Sequence, residues 1–128
     1  MLRASGEEII STPQGYRMPG ARVAAHRAIL ACQHPPERTE EELQILVDHG
    51  VRVLDVVVEH PLYGELRGSL MLESRRDVDD FLRRWRRKQA TLLSSLTRGV
   101  HLHTVEARRP DMIARAKAQL DARGFLLK

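Results

Sequence analysis

The sequence predicts an α/β protein of the α+β sandwich type, with a ferredoxin-like sheet that carries helices on one face and is preceded by a small β-hairpin. Its 128 residues are enough to bury one sizeable core and give no reason to expect two full domains. Apolar residues recur with the period of strands in some segments and of helices in others. From residue 27 the predicted order is strand, helix, strand, strand, helix, strand, helix, strand, and the first six elements match a split βαβ arrangement.

The first 20 residues are predicted to form a separate small unit. Two short stretches flank a turn at residues 13–15 and predict a hairpin over residues 9–18, and Pro19-Gly20 marks a linker. Because an isolated hairpin is marginally stable in water, we expect it to pack on another element or on a partner chain. The chain therefore divides into residues 1–20 and a main domain over residues 21–128.

The main domain is predicted to open with a strand and a helix. Residues 27–34 are apolar and end at two prolines, which predicts a strand, although a short helix over residues 21–33 fits nearly as well. Thr39 and Glu42 then have the spacing of a capping box, which satisfies free backbone amides at a helix start. Apolar residues follow at helical spacing, and Gly50 ends this helix.

The remaining elements follow from the same two patterns. A segment rich in β-branched residues, a tight turn and a second strand form a hairpin, after which Ser74 caps a helix with an apolar stripe and an arginine-rich opposite face. A short helical turn, a strand with two histidines, a helix that begins at Pro110 and a closing strand complete the chain. These elements cover residues 51–59, 65–72, 74–88, 92–96, 99–105, 110–122 and 125–127.

The strand over residues 99–105 contains a His-x-His pair. His101 and His103 share a face, because successive strand residues point to opposite faces, and they lie roughly 6.6 Å apart along the strand. Both imidazoles can therefore reach one ion, and Leu102 is expected to point into the core. The alternative interpretations are histidines that decorate a solvated strand face and histidines that are hydrogen-bonded within a core.

His34 and Glu42 can complete a metal site with this pair. Three imidazoles and one carboxylate suit a first-row divalent ion such as zinc, nickel or iron. In one alternative interpretation, His34 only closes a strand end. In another, which the local sequence favours, the Glu42 carboxylate belongs to the capping box. Glu40 or Glu41 would then be the carboxylate ligand. Cys32 shares a strand face with His34 and is expected to be a buried, inert thiol.

Composition limits the location and the partners of the protein. One cysteine cannot form an internal disulfide, and neither a signal peptide nor a membrane span is evident, so we expect a cytoplasmic protein without membrane contact. The net charge of +4 favours anionic partners only modestly. Basic residues between positions 83 and 88 can bind phosphates, but a solvated helix face explains them more simply. The sequence contains no Gly-rich phosphate loop and no nucleophile elbow.

Three ordered segments resemble a known family. CQHPPERTEEEL at residues 32–43, VEHPLYGE at residues 58–65 and GVHLHT at residues 99–104 are similar to the signatures of the 3H domain. That domain is the effector-binding half of the nicotinate-responsive transcription repressors of the NiaR family, which control genes of NAD biosynthesis and niacin uptake. The resemblance covers essentially the whole chain, and residues 9–16 look like the wing of the family's winged helix-turn-helix.

The resemblance implies a dimeric regulatory domain with a transition-metal site and nicotinic acid as co-repressor. The family's DNA-reading helices precede the wing and are missing from this chain, so DNA binding is expected only through a winged helix-turn-helix outside it. By motif, the ligands of a nickel, zinc or iron ion fall on His34, Glu42, His101 and His103. Candidate effector-binding residues are His60, Tyr63, Arg38 and Arg67, of which the first two are equally well explained by turn chemistry.

Three functions are compatible with these residues. The leading one is a cytoplasmic, metal-containing, nicotinic acid-sensing domain of a transcription repressor, which acts as a homodimer and is not an enzyme. The first rival is a metal-dependent hydrolase with Glu59 or Glu65 as general base. The second rival is a metal-stabilised dimerisation module that binds no small ligand.

Overall fold

The computed structural model describes residues 25–88 and 92–127. The predicted hairpin at residues 9–18, its linker and the division after residue 20 lie outside these ranges and stay predictions. The described chain forms four strands and three α-helices in the predicted order. Their bounds are β1 (His26–Gln33), α1 (Thr39–Asp48), β2 (Arg52–His60), β3 (Gly64–Leu72), α2 (Arg75–Lys88), β4 (Val100–Ala107) and α3 (Pro110–Ala122), with 3₁₀ helices at Pro36–Arg38 and Leu93–Thr97.

The four strands form one antiparallel sheet in the order β1-β4-β2-β3. This confirms the α+β class and the strand, rather than a helix, at β1. One detail of the ferredoxin-like expectation differs, because β4 lies between β1 and β2, where the ferredoxin-like order places β3. The predicted closing strand is a single bridge between Leu126 and Cys32, flanked by backbone hydrogen bonds that extend the β1 edge.

The core lies between one face of the sheet and the helices. Apolar side chains from all four strands and all three helices form one buried cluster, and α1 contacts both α2 and α3. In β4 the side chains of His101, His103 and Val105 are buried, whereas Leu102 is half-buried. The histidines therefore face the core and Leu102 faces away from it, the reverse of the prediction. A histidine can occupy a core position when its ring nitrogens have polar partners.

The start of α1 differs from the predicted capping box. Arg38 holds the N-cap position and Thr39 already has helical backbone angles, because a 3₁₀ turn leads directly into the helix. The Thr39 hydroxyl is buried without a hydrogen-bond partner in residues 25–88 and 92–127, and the Glu42 carboxylate contacts His101 instead. Two other predictions are confirmed, since Ser74 Oγ accepts a backbone N–H of α2 and Gly50 follows α1 with a φ of +78°. None of the helices within the described ranges is long and apolar enough to cross a membrane.

Candidate metal centre

Four side chains from three parts of the fold converge beneath the helices. His34 follows β1, Glu42 lies one turn into α1, and the other two members are the histidines of β4. All four side chains are almost completely buried, with no more than 4% of any one exposed. The Glu42 carboxylate lies 2.8 Å from Nε2 of His34, 2.8 Å from Nε2 of His101 and 3.2 Å from Nε2 of His103.

The three rings present the same nitrogen to Glu42 because Nδ1 of each ring is bound to a backbone carbonyl. A carbonyl oxygen only accepts hydrogen bonds, so Nδ1 carries a proton and a neutral ring has its lone pair at Nε2. Histidines that bind metals typically have such a hydrogen bond at the other ring nitrogen. The Nδ1 partners are Pro35 O at 2.8 Å for His34, Gly99 O at 2.7 Å for His101 and Asp55 O at 2.7 Å for His103.

A β-bulge in β2 explains how Asp55 reaches His103. The pairing of β2 with β4 shifts by one residue between Val53 and Val57, so the regular hydrogen-bond ladder is interrupted there. The Asp55 carbonyl is then available to the His103 ring, and the Asp55 carboxylate accepts the N–H of Thr104 at 2.9 Å. The bulge therefore orients the His103 ring through the Asp55 carbonyl. The Asp55 carboxylate at the same time satisfies the backbone N–H of Thr104.

Glu42, His34 and His103 have shifted pKa values. Burial disfavours the charged form of Glu42, but the three imidazoles outweigh it and hold the pKa of that carboxyl well below its usual 4.5. Burial also disfavours the imidazolium forms of His34 and His103, yet the neighbouring Glu42 carboxylate outweighs it and raises the pKa of both rings above 6.5. The metal-free cluster therefore keeps its carboxylate ionised, and His34 and His103 bind protons at Nε2 more readily than free imidazoles.

The donor atoms fit a divalent transition ion. His34 Nε2 lies 2.8 Å from a Glu42 oxygen but is not aligned for a hydrogen bond with it, and this buried nitrogen has no other hydrogen-bond partner among the described residues. Atoms that bind one ion at about 2.1 Å lie about 3.0 Å apart when they are at right angles, which agrees with the nitrogen–oxygen distances found here. Imidazole donors favour zinc, nickel or iron over magnesium and calcium. That these four residues bind an ion stays a prediction.

An apolar cavity of about 40 Å³ adjoins the cluster. It lies between the sheet, α2 and the 3₁₀ helix Leu93–Thr97, and the four polar side chains form part of its wall. A small molecule in this cavity would have a polar wall on one side and hydrocarbon on the others, which is typical of ligand sites. The apolar lining is Leu43, Val56, Leu70, Phe81, Leu92 and Leu93.

The four predicted effector-binding residues lie outside this cavity lining. His60 Nδ1 accepts two backbone N–H groups of its own hairpin turn, and the Tyr63 ring packs on it with 71% of the residue exposed. Arg38 lies over the Phe125 ring and bonds Glu41. Arg67 pairs with the carboxylate of Asp55, so it connects to the cluster only indirectly.

Two residues near the cluster were not among the predicted ligands: Asp55 was not singled out, and Cys32 was expected to be a buried, inert thiol. Asp55 gives no signal, because a single aspartate in a valine-rich strand does not reveal a bulge. Cys32 gives one, since it shares a strand face with His34, and its Sγ lies within 4.8 Å of the ligand atoms of Glu42 and His101. Burial raises the pKa of the Cys32 thiol, and the Glu42 charge raises it further, so the thiol is protonated in the metal-free protein.

The sequence is similar to those of known transcription repressors. The 3H domain profile matches residues 27–128. "Transcription repressor NadR" of Bacillus subtilis is 44% identical over 131 aligned residues, which cover the whole chain and 73% of that protein. "Probable transcription repressor NiaR" of Thermotoga maritima is 39% identical over 127 residues, which cover 99% of the chain and 72% of that protein.

Proposed function

The chain belongs to the 3H domain family, and from this premise we propose that it is a metal-containing sensor of nicotinic acid within a transcription repressor. The names of its relatives indicate a regulatory role. In more detail, we propose that the protein is a cytoplasmic homodimer that controls genes of NAD biosynthesis or niacin uptake. It would contact DNA through a winged helix-turn-helix outside the described residues. The observation that carries it is the buried convergence of three Nε2 atoms on Glu42 beside an apolar cavity.

The residues that would hold the ion are His34, Glu42, His101 and His103. A divalent ion there would supply a Lewis-acidic point that binds a carboxylate or a ring nitrogen. The chain's own contribution is to hold the imidazoles in the required tautomer through their backbone partners and to exclude water by burial. Apolar side chains such as Phe81 would pack against the pyridine ring of nicotinic acid.

The cavity also suggests how the effector acts. Its volume of about 40 Å³ is far below the roughly 300 Å³ of small ligand pockets. We therefore infer that the effector displaces Leu92 and Leu93, which precede β4 and border the cavity. A ligand shifts a conformational equilibrium only through different affinities for the two states. Movement of the 3₁₀ helix Leu93–Thr97 on binding would provide that difference and change the surface offered to a second subunit.

The hydrolase alternative has no support in the described geometry. Glu59 and Glu65, the two candidate bases, face each other across the β2–β3 hairpin and line a separate surface pocket. Neither residue lines the cavity beside the cluster, so neither lies where it would activate a water at the ion. We therefore propose a regulator that is not an enzyme, and a dimerisation module without a small ligand remains an outcome of the experiment below.

Isothermal titration tests the sensor directly. We expect zinc- or nickel-loaded protein to release heat on binding nicotinate, and chelator-treated protein to release none. Nicotinamide, which lacks the carboxylate, and benzoate, which lacks the ring nitrogen, are matched ligands and should bind at least about tenfold more weakly, because each loses one charged or polar contact. The absence of heat with nicotinate in both protein forms would refute the sensor. Chelation that lowers the melting temperature without any nicotinate response would favour the dimerisation module.

A cavity-filling variant locates the effector in the same experiment. Leu93→Trp places a large ring at the cavity, so we expect loss of the nicotinate heat with unchanged metal content. Leu96→Trp is the matched control, since Leu96 lies on the same 3₁₀ helix, is 47% exposed and does not line the cavity. Equal nicotinate binding by both variants would exclude this cavity as the effector site.

The pH dependence of stability should have opposite signs with and without the ion. In the metal-free protein the raised pKa values of His34 and His103 stabilise the fold below about pH 6.5, and this contribution is lost as the pH rises through the folded-state values. With the ion bound, protons compete for Nε2, so stability should increase over the same range. Melting curves from pH 6 to 8, with chelator or with zinc, measure both trends, and parallel trends would contradict the metal centre.

A further inference from the structure

Cys32 lies next to the predicted metal cluster. Its side chain is fully buried on the helix-covered face of β1, directly across from His101 on β4. Its Sγ, a Glu42 carboxylate oxygen and a His101 ring nitrogen all lie within 4.8 Å of one another. A thiol in this position is close enough for small side-chain adjustments to bring it to a shared ion, because zinc–sulfur bonds are about 2.3 Å long and zinc–nitrogen bonds about 2.1 Å.

A second observation points to a ligand at the same place. Among the described residues, Nε2 of His34 has no aligned hydrogen-bond partner, although the His34 side chain is only 1% exposed and a Glu42 oxygen lies 2.8 Å from this nitrogen. Cys32 and His34 are two residues apart in the chain, and both side chains are buried near the Glu42 carboxylate. The cluster thus has a buried nitrogen that is poorly aligned for a hydrogen bond and a sulfur near the same carboxylate.

We propose that Cys32 is a fifth ligand, which makes this a mixed nitrogen, oxygen and sulfur site for a borderline ion such as zinc, nickel or cobalt. The inference rests on the proposed metal centre and extends its ligand set. On binding, the sulfur–metal bond forms, the sulfur–hydrogen bond breaks and the proton leaves to solvent, with no change of oxidation state. A thiolate ligand favours such ions over magnesium, calcium and manganese, which prefer oxygen donors.

Cobalt(II) alone is a suitable probe, because thiolate ligation adds a sulfur-to-cobalt charge-transfer band in the near ultraviolet to the visible bands of the bound ion. Titration of the full chain under reducing conditions should give both sets of bands, saturating at one cobalt per chain. Cys32→Ser should keep the visible bands, lose the ultraviolet band and bind cobalt at least about tenfold more weakly. Ala31→Ser is the matched control, since it adds a hydroxyl at the next position of β1, and should behave as the unaltered protein.

The outcomes separate this inference from the metal centre itself. Visible bands without the ultraviolet band would overturn the role of Cys32 and leave the four-residue centre intact. No bound cobalt in the unaltered chain would refute both. If Cys32→Ser does not fold, X-ray absorption of the cobalt-loaded unaltered protein decides, because the sequence contains a single cysteine and a thiolate places sulfur about 2.3 Å from the ion. A first shell without sulfur would overturn the inference.

Discussion

Glu42→Gln should lower the affinity of the protein for zinc or nickel by more than about 100-fold. The substitution keeps the shape of the side chain but removes the only charge among the four predicted ligands, and loss of an outer-shell partner alone typically costs 10–100-fold. All three histidine Nε2 atoms lie within 3.2 Å of this carboxylate. Competition titration with a chromophoric chelator measures the change.

Glu41→Gln is a strict control for that experiment. Glu41 is the preceding residue of the same helix, and its half-exposed carboxylate pairs with Arg38 and Arg123 rather than with the cluster. We expect metal affinity within about twofold of the unaltered protein, because exposed ion pairs contribute little. Equal losses in the two variants would show a general effect on α1, and unchanged affinity in Glu42→Gln would remove Glu42 from the site.

Glu42→Gln should also flatten the pH dependence of the metal-free protein. The pKa values of His34 and His103 are raised by the Glu42 charge against the opposing effect of burial. With that charge removed, burial lowers the pKa of both rings, and the stability that the metal-free fold loses as the pH rises above about 6.5 should disappear. This second readout does not depend on any ion, so it tests the electrostatics of the cluster separately.

Sequence periodicity predicted the element types because each element carries its apolar pattern locally. Gly50 and Ser74 mark helix boundaries through backbone chemistry that needs no tertiary information. The strand order could not be derived in this way, since pairing of β4 between β1 and β2 depends on contacts between residues that are far apart in the chain. The closing segment was predicted to be a full strand, but it forms a single bridge to Cys32. This difference also depends on contacts between distant residues, which the local pattern does not contain.

The direction of the His-x-His face shows where residue preferences mislead. Leu102 was predicted to face the core because leucine is usually buried and histidine is not. Buried polar partners reverse that order, since each ring has a carbonyl at Nδ1 and the carboxylate near Nε2. The position of the Glu42 side chain has a similar explanation. It turns away from the start of the helix because three imidazoles are a stronger set of partners for its carboxylate than one backbone amide. The bulge at Asp55 and the apolar cavity left no trace in the sequence.

Gly99→Ala should destabilise the metal-free protein by at least about 3 kcal/mol, because two costs add. Gly99 has a φ of +88°, which disfavours any residue with a Cβ, and an added Cβ would lie against the carbonyl oxygen of His34, with the carbonyl carbon only 3.1 Å away. These neighbours belong to the backbone, so they cannot rotate aside. Thermal denaturation should show a melting temperature lower by about 10 °C or more.

Gly124→Ala separates these two costs. Gly124 has a nearly equal φ of +81°, but an added Cβ would meet no atom of the described residues within 4 Å, so only the conformational cost of about 1–2 kcal/mol remains. The two variants should differ in metal binding as well. The Gly99 carbonyl accepts hydrogen bonds from Nδ1–H of His101 at 2.7 Å and from the backbone N–H of His34 at 3.4 Å. A shift of Gly99 would therefore displace two predicted ligands together. Gly99→Ala should therefore lose metal affinity even where it remains folded, while Gly124→Ala keeps it. Equal affinity in the two variants would mean that the ion does not depend on the arrangement of His34 and His101.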